Sequence, residues 1–518
     1  MPLAVYLVTL SPAVMDGDAA GLARQAYTLG LAYAPGYPVN ALLGKAATSL
    51  VAVGPLAWRA NLVGALSAAA SLALGYALLR RWAVPAVPAV VGMWVLGFSA
   101  LFWSQSVYIN AYMQAVAFAL AVLLALEAWR ERGGLGLLAV ASGLFGLGLA
   151  THPSFAVYAP VVAVYVVVVL WGRGWRRLAA GLAVAGGAGL AGCLPWLGYT
   201  VYYMLQEPGA EVDGSFVRRL AEQLTAAKGR SDWGMYVTLA FWKEHAARMA
   251  VHASRTVSQF FFVGPVLALA GAVALWRRRR ASLLLAGLAY LAQMAFATTL
   301  WNWHHFDVYR LSCHALLALF MGAGLGAVWA GARTRGRAVA WCGLLALLTV
   351  GPPYAILAAW PPAEHPPRDR VRFVRPQSPW RREWAVEGEA DARAVLELAP
   401  RGSAVMATWG PFATLRFLRD VAGVGEGVEL AEAHTGREVY EQAVAEHGDA
   451  PAVYFYARHG QRTSGGELAG WLEERAAPEP AFSGARHDLY VLGAGAGGRQ
   501  TAARDGPAAA PAGGSSDE

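Results

Sequence analysis

The sequence predicts an α-helical polytopic membrane protein with a small C-terminal extracytoplasmic α/β domain, and three observations predict it. Of 518 residues, 57% are hydrophobic and only 15% are charged, against about 25% charged in an average soluble domain. Apolar runs able to cross ~30 Å of hydrocarbon recur through the first two-thirds of the chain. Arginines gather in every second connection between these runs, the pattern that fixes topology in a bilayer.

In order, the apolar runs are 1–15, 57–79, 83–102, 107–128, 134–150, 154–171, 178–203, 258–276, 281–301, 310–332 and 338–360, about eleven transmembrane helices. The first falls short of the ~20 residues that a spanning helix needs, so either the true start lies upstream or the helix continues through partly polar residues. Between 17 and 55 the chain stays apolar but is punctuated by Pro35, Gly36, Pro38, Gly44 and Gly54. That punctuation predicts two short helices along the interface rather than a span.

Arg80-Arg81, Arg130/Arg132, Arg173/Arg176/Arg177, Arg277 to Arg280 and Arg333/Arg335/Arg337 follow the second, fourth, sixth, eighth and tenth runs. Arginine-rich short loops stay cytoplasmic, so the N-terminus is predicted inside and the C-terminal domain outside. These arginines read as topology determinants, not as phosphate or nucleic-acid sites. The membrane domain is 1–360, with outer loops at 16–56 and 204–257; a Pro/Arg-rich linker follows at 361–380. Apolar and alternating runs at 403–407, 452–456 and 489–492 among helical stretches predict the α/β domain over 381–495. The Gly/Ala/Pro/Ser tail 496–518 has a composition that cannot build a core. Cys193, Cys313 and Cys342 lie in apolar runs without metal-ligand spacing and read as buried small hydrophobes.

With the arginines inside, the remaining polar residues collect outside. Asp16-Gly17-Asp18 comes first. An ionised carboxylate near hydrocarbon must be paired, hydrated or metal-bound. Such a pair can coordinate a divalent cation that grips a phosphate, or one member can act as general base; either aspartate can also cap a helix starting near Ala19. Lys45 can meet a lipid phosphate or snorkel to the headgroups, while Arg59 opens an apolar span on the outer side and reads as a phosphate ligand. His152, before Pro153, reads equally as a cap or a site residue. Trp103 lies in the connection between the third and fourth runs, which leads into Asn110 and Tyr112. The stretch Trp301 to Arg310 gathers His304, His305, Asp307 and Arg310, which an aromatic belt does not explain. The His304/His305/Asp307 spacing fits no tetrahedral zinc site, and no metal ligands are assigned.

With these residues placed, the chain resembles the GT-C superfamily of integral membrane glycosyltransferases, most closely the bacterial multispan family related to animal TMEM-type protein O-mannosyltransferases. The resemblance runs through Tyr6 to Pro12, Asp18, Ala26-Tyr27-Thr28-Leu29-Gly30, Pro35-Gly36-Tyr37-Pro38, Leu43-Gly44-Lys45, Trp58-Arg59-Ala60-Asn61-Leu62, Trp103, Tyr112 and Gly148 to Pro153. It implies a GT-C-like fold in a bacterial inner membrane, and transfer of a sugar, with mannose the family's suggestion, from a polyprenyl-phosphate donor to an acceptor hydroxyl on a protein or glycan. It also implies Asp18 as the catalytic base, an inverting displacement and cationic side chains on the departing lipid phosphate; by their placement Arg59, Lys45, Arg310 and His152 are the candidates for that phosphate, and Asp16 for a helper acid. Tyr37, Trp103, Asn110, Tyr112, His304, His305 and Asp307 would line the pocket. Where the family commonly has Asp-Ser-Gly-Glu this chain has Asp18-Ala19-Ala20-Gly21, and where it has Glu-Val-Tyr this chain has Asn110-Ala111-Tyr112. A catalytically inactive lipid-linked-glycan binding protein and a transporter or flippase are the rival readings. The latter lacks an internal repeat or an acid at mid-membrane depth.

Overall fold

All eleven apolar runs contain helix in the computed structural model. It describes residues 1–32, 36–205, 239–299, 307–359, 382–433, 450–459 and 480–492, with Arg218 and a few positions between 441 and 476. Of 239–247, 299, 307, 357–359, 382–384 and 458 it describes the backbone alone. The predicted linker 361–380 and tail 496–518 lie outside the described residues.

The helices are α1 (Pro2–Thr9), α2 (Asp18–Thr28), α3 (Pro38–Leu50), α4 (Leu56–Arg81), α5 (Ala86–Gly97), α6 (Ala100–Ser106), α7 (Ala111–Arg132) and α8 (Leu135–Thr151). They continue with α9 (Ala159–Leu170), α10 (Trp175–Leu205), α11 (Leu239–Phe260), α12 (Val263–Arg278), α13 (Arg280–Thr299), α14 (Leu311–Gly331) and α15 (Arg335–Ala359). Among the described residues seven helical segments are long and apolar enough to span, or up to nine when two bent pairs are each counted as one. Those pairs are α5 with α6, bent 73°, and the last part of α11 with α12, bent 100°. The fifth predicted run is a shorter apolar helix, Leu135–Thr151, and the first is the eight-residue α1. The two interfacial helices expected between 17 and 55 are α2 and α3.

Helix α14 lies at the centre: 78% of its apolar window is buried, against 6% for α10 and 17% for α15. Apolar faces left open in this way suit lipid, since lipid tails give helices no hydrophobic reason to associate. Close approach of backbones supplies the packing instead. At Gly92, a Cβ would lie 2.7 Å from the Cα of Gly322, so α5 and α14 touch only because both positions lack side chains.

The α5–α6 break frees backbone groups that hydrocarbon cannot solvate. Tyr6 donates its hydroxyl to the Gly97 carbonyl at 2.8 Å, and Tyr354 donates to the Phe98 carbonyl at 2.8 Å. The Leu101 amide donates to Gln259 Oε1, also at 2.8 Å. Side chains from α1, α11 and α15 thus satisfy one bend.

The predicted outer loop 204–257 contains helix in its second half, the α11 segment from Leu239 onward. Its buried residues include His252, Arg255, Thr256 and Gln259, three to four apart on one face. A helix whose inward stripe is polar shows no apolar periodicity, which is why the sequence reads as loop.

The chain divides into two compact units, Met1–Glu389 and Ala390–Glu518. The second carries most of α16 (Arg382–Leu398), then β1 (Ala404–Ala407), α17 (Trp409–Ala422), β2 (Glu429–Glu432), β3 (Val453–Arg458), β4 (Phe482–Ser483) and β5 (His487–Val491). Its sheet has order β2-β1-β3-β5-β4, parallel among β1, β2 and β3 and antiparallel at β5 and β4. Met406, Phe455, Trp471 and Tyr490 form part of its core. Asp391, itself 5% exposed, clamps α16 to the turn before β5 by accepting the amides of Ala485, Arg486 and His487 at 2.9, 2.7 and 3.0 Å. Burial pushes its carboxyl up, but hydrogen bonds from His487 and the backbone outweigh burial and hold it below its ordinary value.

Candidate active site

Asp18 is the first residue of α2, and its N-cap is Gly17 with φ 86° and ψ −137°. That backbone belongs essentially to glycine, so Gly17 sets the direction in which Asp18 leaves the turn. Asp18 is therefore not the capping residue. Among the described residues the hydrogen-bond partner of its carboxylate is the Tyr112 hydroxyl, at 3.4 Å from Oδ2. Burial pushes the carboxyl up to about 6, with the Tyr112 bond pulling more weakly the other way. A carboxyl near 6 is better matched to proton abstraction near neutrality than one near 4.

Four rings gather beside it. Tyr37 stacks on His152 with centroids 5.5 Å apart, and Tyr112 lies 4.9 Å from His152. Tyr309 meets Tyr112 edge-on at 5.4 Å and His152 at 6.1 Å, and the two tyrosine side chains share a hydrogen bond. These residues come from the start of α3, the start of α7, the end of α8 and the start of α14, so one cluster ties four elements. Tyr37 holds its place with φ 44° and ψ 55°, a left-handed backbone costly for a bulky residue. The stretch before it is fixed by Gln25, whose Nε2 donates to the Gly36 carbonyl at 2.5 Å and to Tyr199 Oη at 2.9 Å.

Arg310 follows Tyr309 in sequence and is 5% exposed. Arg255 and His252 of α11 and His314 of α14, all buried, lie within its electrostatic reach. Two arginines and two histidines are therefore grouped around the residue that follows Tyr309 in the chain. Arg310 was legible in the sequence; Arg255, His252, His314 and the clustering of Tyr309 were not. The available signal was the spacing of His252, Arg255 and Gln259 on one helical face.

The other predicted site residues have more local work. His152 accepts the Ser154 amide at Nδ1, 3.1 Å away, and caps the short turn Pro153–Tyr158. Burial lowers its pKa to about 3, so the ring is neutral, with its proton assigned to Nε2. Lys45 donates Nζ to the Tyr27 carbonyl at 2.7 Å, joining α3 to the last turn of α2. Arg59 donates Nε to the Gly54 carbonyl at 3.0 Å. Asn110 is 2% exposed and committed to the backbone, accepting from Met113 N at 2.8 Å and donating to the carbonyls of Gln105 and Tyr108 at 2.7 and 3.0 Å. Trp103 belongs to a different aromatic group, with Phe98 and Tyr354, and donates to Thr9 Oγ1 at 3.0 Å. Asp16 lies in the turn before Gly17. His304 and His305 fall outside the described residues, as does the side chain of Asp307. Among the described residues no three His, Cys, Asp or Glu side chains are placed to hold a metal ion.

Residues 18–174 match the family model described as the Protein O-mannosyl-transferase TMEM260 N-terminal domain. The Protein O-mannosyl-transferase TMEM260 of Mus musculus is 32% identical over 104 residues, which is 20% of this chain. The match spans only 15% of that relative's length. Among solved structures, ArnT from Cupriavidus metallidurans in the apo state aligns with a TM-score of 0.56 at 14% identity, covering 94% of this chain and 96% of ArnT. ArnT bound to undecaprenyl phosphate aligns with a TM-score of 0.50 at 14% identity, covering 95% and 97%. The chain thus has the fold of ArnT, the GT-C-like architecture expected from the sequence, and is a multi-pass membrane protein.

Proposed function

We propose that the protein is a GT-C membrane glycosyltransferase that moves a sugar from a polyprenyl-phosphate donor to an acceptor hydroxyl. Asp18 is the general base. One observation carries this reading: the buried Asp18 carboxyl hydrogen-bonds into the ring cluster that includes Tyr309, and the next residue, Arg310, is the centre of a group of buried basic side chains. Acyl-free sugar transfer needs those two functions together. The acceptor must lose a proton as its oxygen attacks, and the departing lipid phosphate must be met by positive charge.

In this mechanism Asp18 takes the proton from the acceptor hydroxyl, and that oxygen attacks the anomeric carbon from the face opposite the phosphate. The bond from that carbon to the phosphate oxygen breaks, and its electron pair leaves with the lipid phosphate. Arg310 and Arg255 stabilise the developing charge, while Tyr37, Tyr112, His152 and Tyr309 wall the site. Lys45 and Arg59 anchor the frame through the backbone contacts described above and add positive charge for the donor phosphate. The matched O-mannosyl-transferase domain supports mannose as the sugar, and the undecaprenyl-phosphate complex of the structural relative supports the lipid carrier. The arginine alternation supports a bacterial inner-membrane location, with Asp18 on the extracytoplasmic side.

The test is transfer of mannose from polyprenyl-phosphate mannose in membranes carrying wild-type protein, Asp18→Asn or Arg310→Gln. Asp18→Asn is expected to bind the donor and fail to transfer; Arg310→Gln is expected to lose both. Donor binding without transfer by the wild type would favour a lipid-linked-glycan binding protein, and movement of intact donor across the bilayer would favour a flippase.

A further inference from the structure

Read along the chain, the arginine loops need only repel translocation. In the folded bundle, however, arginines from three separate connections converge. Arg81 ends α4, Arg130 and Arg132 end α7, and Arg279 stands between α12 and α13; with Glu131 they line an open cleft of about 620 Å³. The cleft lies at the far end of α7 from Tyr112, about 30 Å away at ~1.5 Å per residue. It is therefore separate from the Asp18 site.

The charges there are unequal. Glu131 is shared by Arg81 at 2.5 Å, Arg279 at 3.2 Å and Arg130 at 3.4 Å. Glu127 is fully buried and taken up by Arg130 at 2.8 Å, Ser282 Oγ at 3.0 Å and the Tyr165 hydroxyl at 3.2 Å. Four arginines against two glutamates leave two positive charges in excess. A guanidinium carries five N–H donors, more than one shared carboxylate can receive from three partners. Arg130 Nε is buried without a hydrogen-bond partner among the described residues, and Arg132 makes no ion pair among them. A topology signal requires arginines near a membrane surface but does not require them to face one cleft.

A second groove, of about 460 Å³, continues from the first, sharing Ala77 and Arg81. Its remaining walls are apolar: Leu74 of α4, Leu124, Ala125 and Ala128 of α7, and Leu144 of α8. Alanines on facing helices leave an apolar furrow that begins at a guanidinium. We propose that cleft and groove together bind an anionic membrane phospholipid. Its phosphate lies among Arg81, Arg132 and Arg279, and one acyl chain runs along the α4–α7–α8 furrow. A basic pocket between spanning helices is suited to such headgroups. Excess charge selects an anionic over a zwitterionic lipid, and the furrow distinguishes a lipid from free phosphate.

The experiment is native mass spectrometry of the purified full chain in detergent, titrated separately with dioleoyl phosphatidylglycerol, dioleoyl phosphatidylcholine and inorganic phosphate. Phosphatidylglycerol is expected to bind at least about tenfold more tightly than phosphatidylcholine. Arg132→Gln, outside the ion-pair frame, should weaken it about fivefold, in keeping with one surface cation. Ala125→Phe, which fills the furrow, should weaken it at least about tenfold without changing the response to phosphate. Equal binding of the two lipids, or no effect of either variant on phosphatidylglycerol, overturns the proposal. Phosphate binding as tightly as phosphatidylglycerol overturns it as well, leaving a site for small anions only.

Discussion

Replacing Asp18 by Asn separates the chemistry of this carboxylate from its effect on the fold. Burial moves the carboxyl from an ordinary 3.8 to about 6, and each pKa unit corresponds to about 1.4 kcal/mol. The ionised form is therefore penalised by at most about 3 kcal/mol in the folded protein. The N-terminus of α2 favours a negative charge at its first residue by about 0.5 kcal/mol, which leaves burial dominant at about 2–3 kcal/mol. Because the folded pKa is raised, the native state holds the proton more tightly than the unfolded chain between pH ~4 and ~6. Folded stability consequently falls as pH rises through that window and levels off above about 6. Asp18→Asn lacks this term, so its melting temperature should match wild type near pH 4 and exceed it increasingly up to pH ~6.5. Transfer should show the opposite dependence in the wild type, rising about tenfold per pH unit to a plateau above about 6, and should drop by roughly 10²–10⁴ in the variant. Wild-type rates in Asp18→Asn at pH 7, or an acidic limb centred near pH 4, would refute the assignment.

Three further outcomes follow from the same geometry. Gly17→Ala forces a side chain into a glycine-only backbone at a cost of about 1–3 kcal/mol; transfer should fall more than stability, measured by rate against melting temperature. Tyr112→Phe removes the hydrogen bond that partly offsets burial of Asp18, so the acidic limb of the pH–rate profile should move upward, with the largest rate loss near pH 6. Asp391→Ala strips three backbone amides of their acceptor and removes the carboxylate beside the buried His487. The C-terminal unit should lose roughly 3–5 kcal/mol, read as faster hydrogen exchange at 485–487. Since the Asp391 carboxyl is held low, its stabilisation is present at neutral pH and is lost as pH falls below about 4.

The membrane helices were legible because hydrocarbon imposes a strong and simple pattern. The eleven apolar runs contain helix, the Pro- and Gly-punctuated stretch gives α2 and α3, and Asp18 stands at the mouth of the first of these. The two strands β2 and β4 were missed because Glu429–Glu432 is largely polar and Phe482–Ser483 has only two residues, too little for a period of two to register. Helix α11 was hidden for the opposite reason, since its inward face carries His252, Arg255 and Gln259. The site was harder to read than the fold. Sequence adjacency brings Tyr309 next to Arg310, but only folding brings it to Tyr112 and His152. Nor could spacing show that Lys45 reaches the Tyr27 carbonyl. Asn110 illustrates the same limit: its place near the start of the fourth run is visible, while its commitment to Met113, Gln105 and Tyr108 is a matter of local geometry.

The bend between α5 and α6 bears on how the chain is assembled. Its carbonyl acceptors at Gly97 and Phe98 are met by Tyr6, which emerges among the first residues, and Tyr354, which follows after almost the whole membrane domain. The Leu101 amide waits for Gln259. Until those later helices insert, backbone groups in the middle of the domain have no native partner, and the following stretch, which carries Tyr112, has no fixed approach to Asp18. The arrangement around Asp18 is thus among the last features completed during synthesis, and a chain arrested before residue 354 should hold the early helices without it.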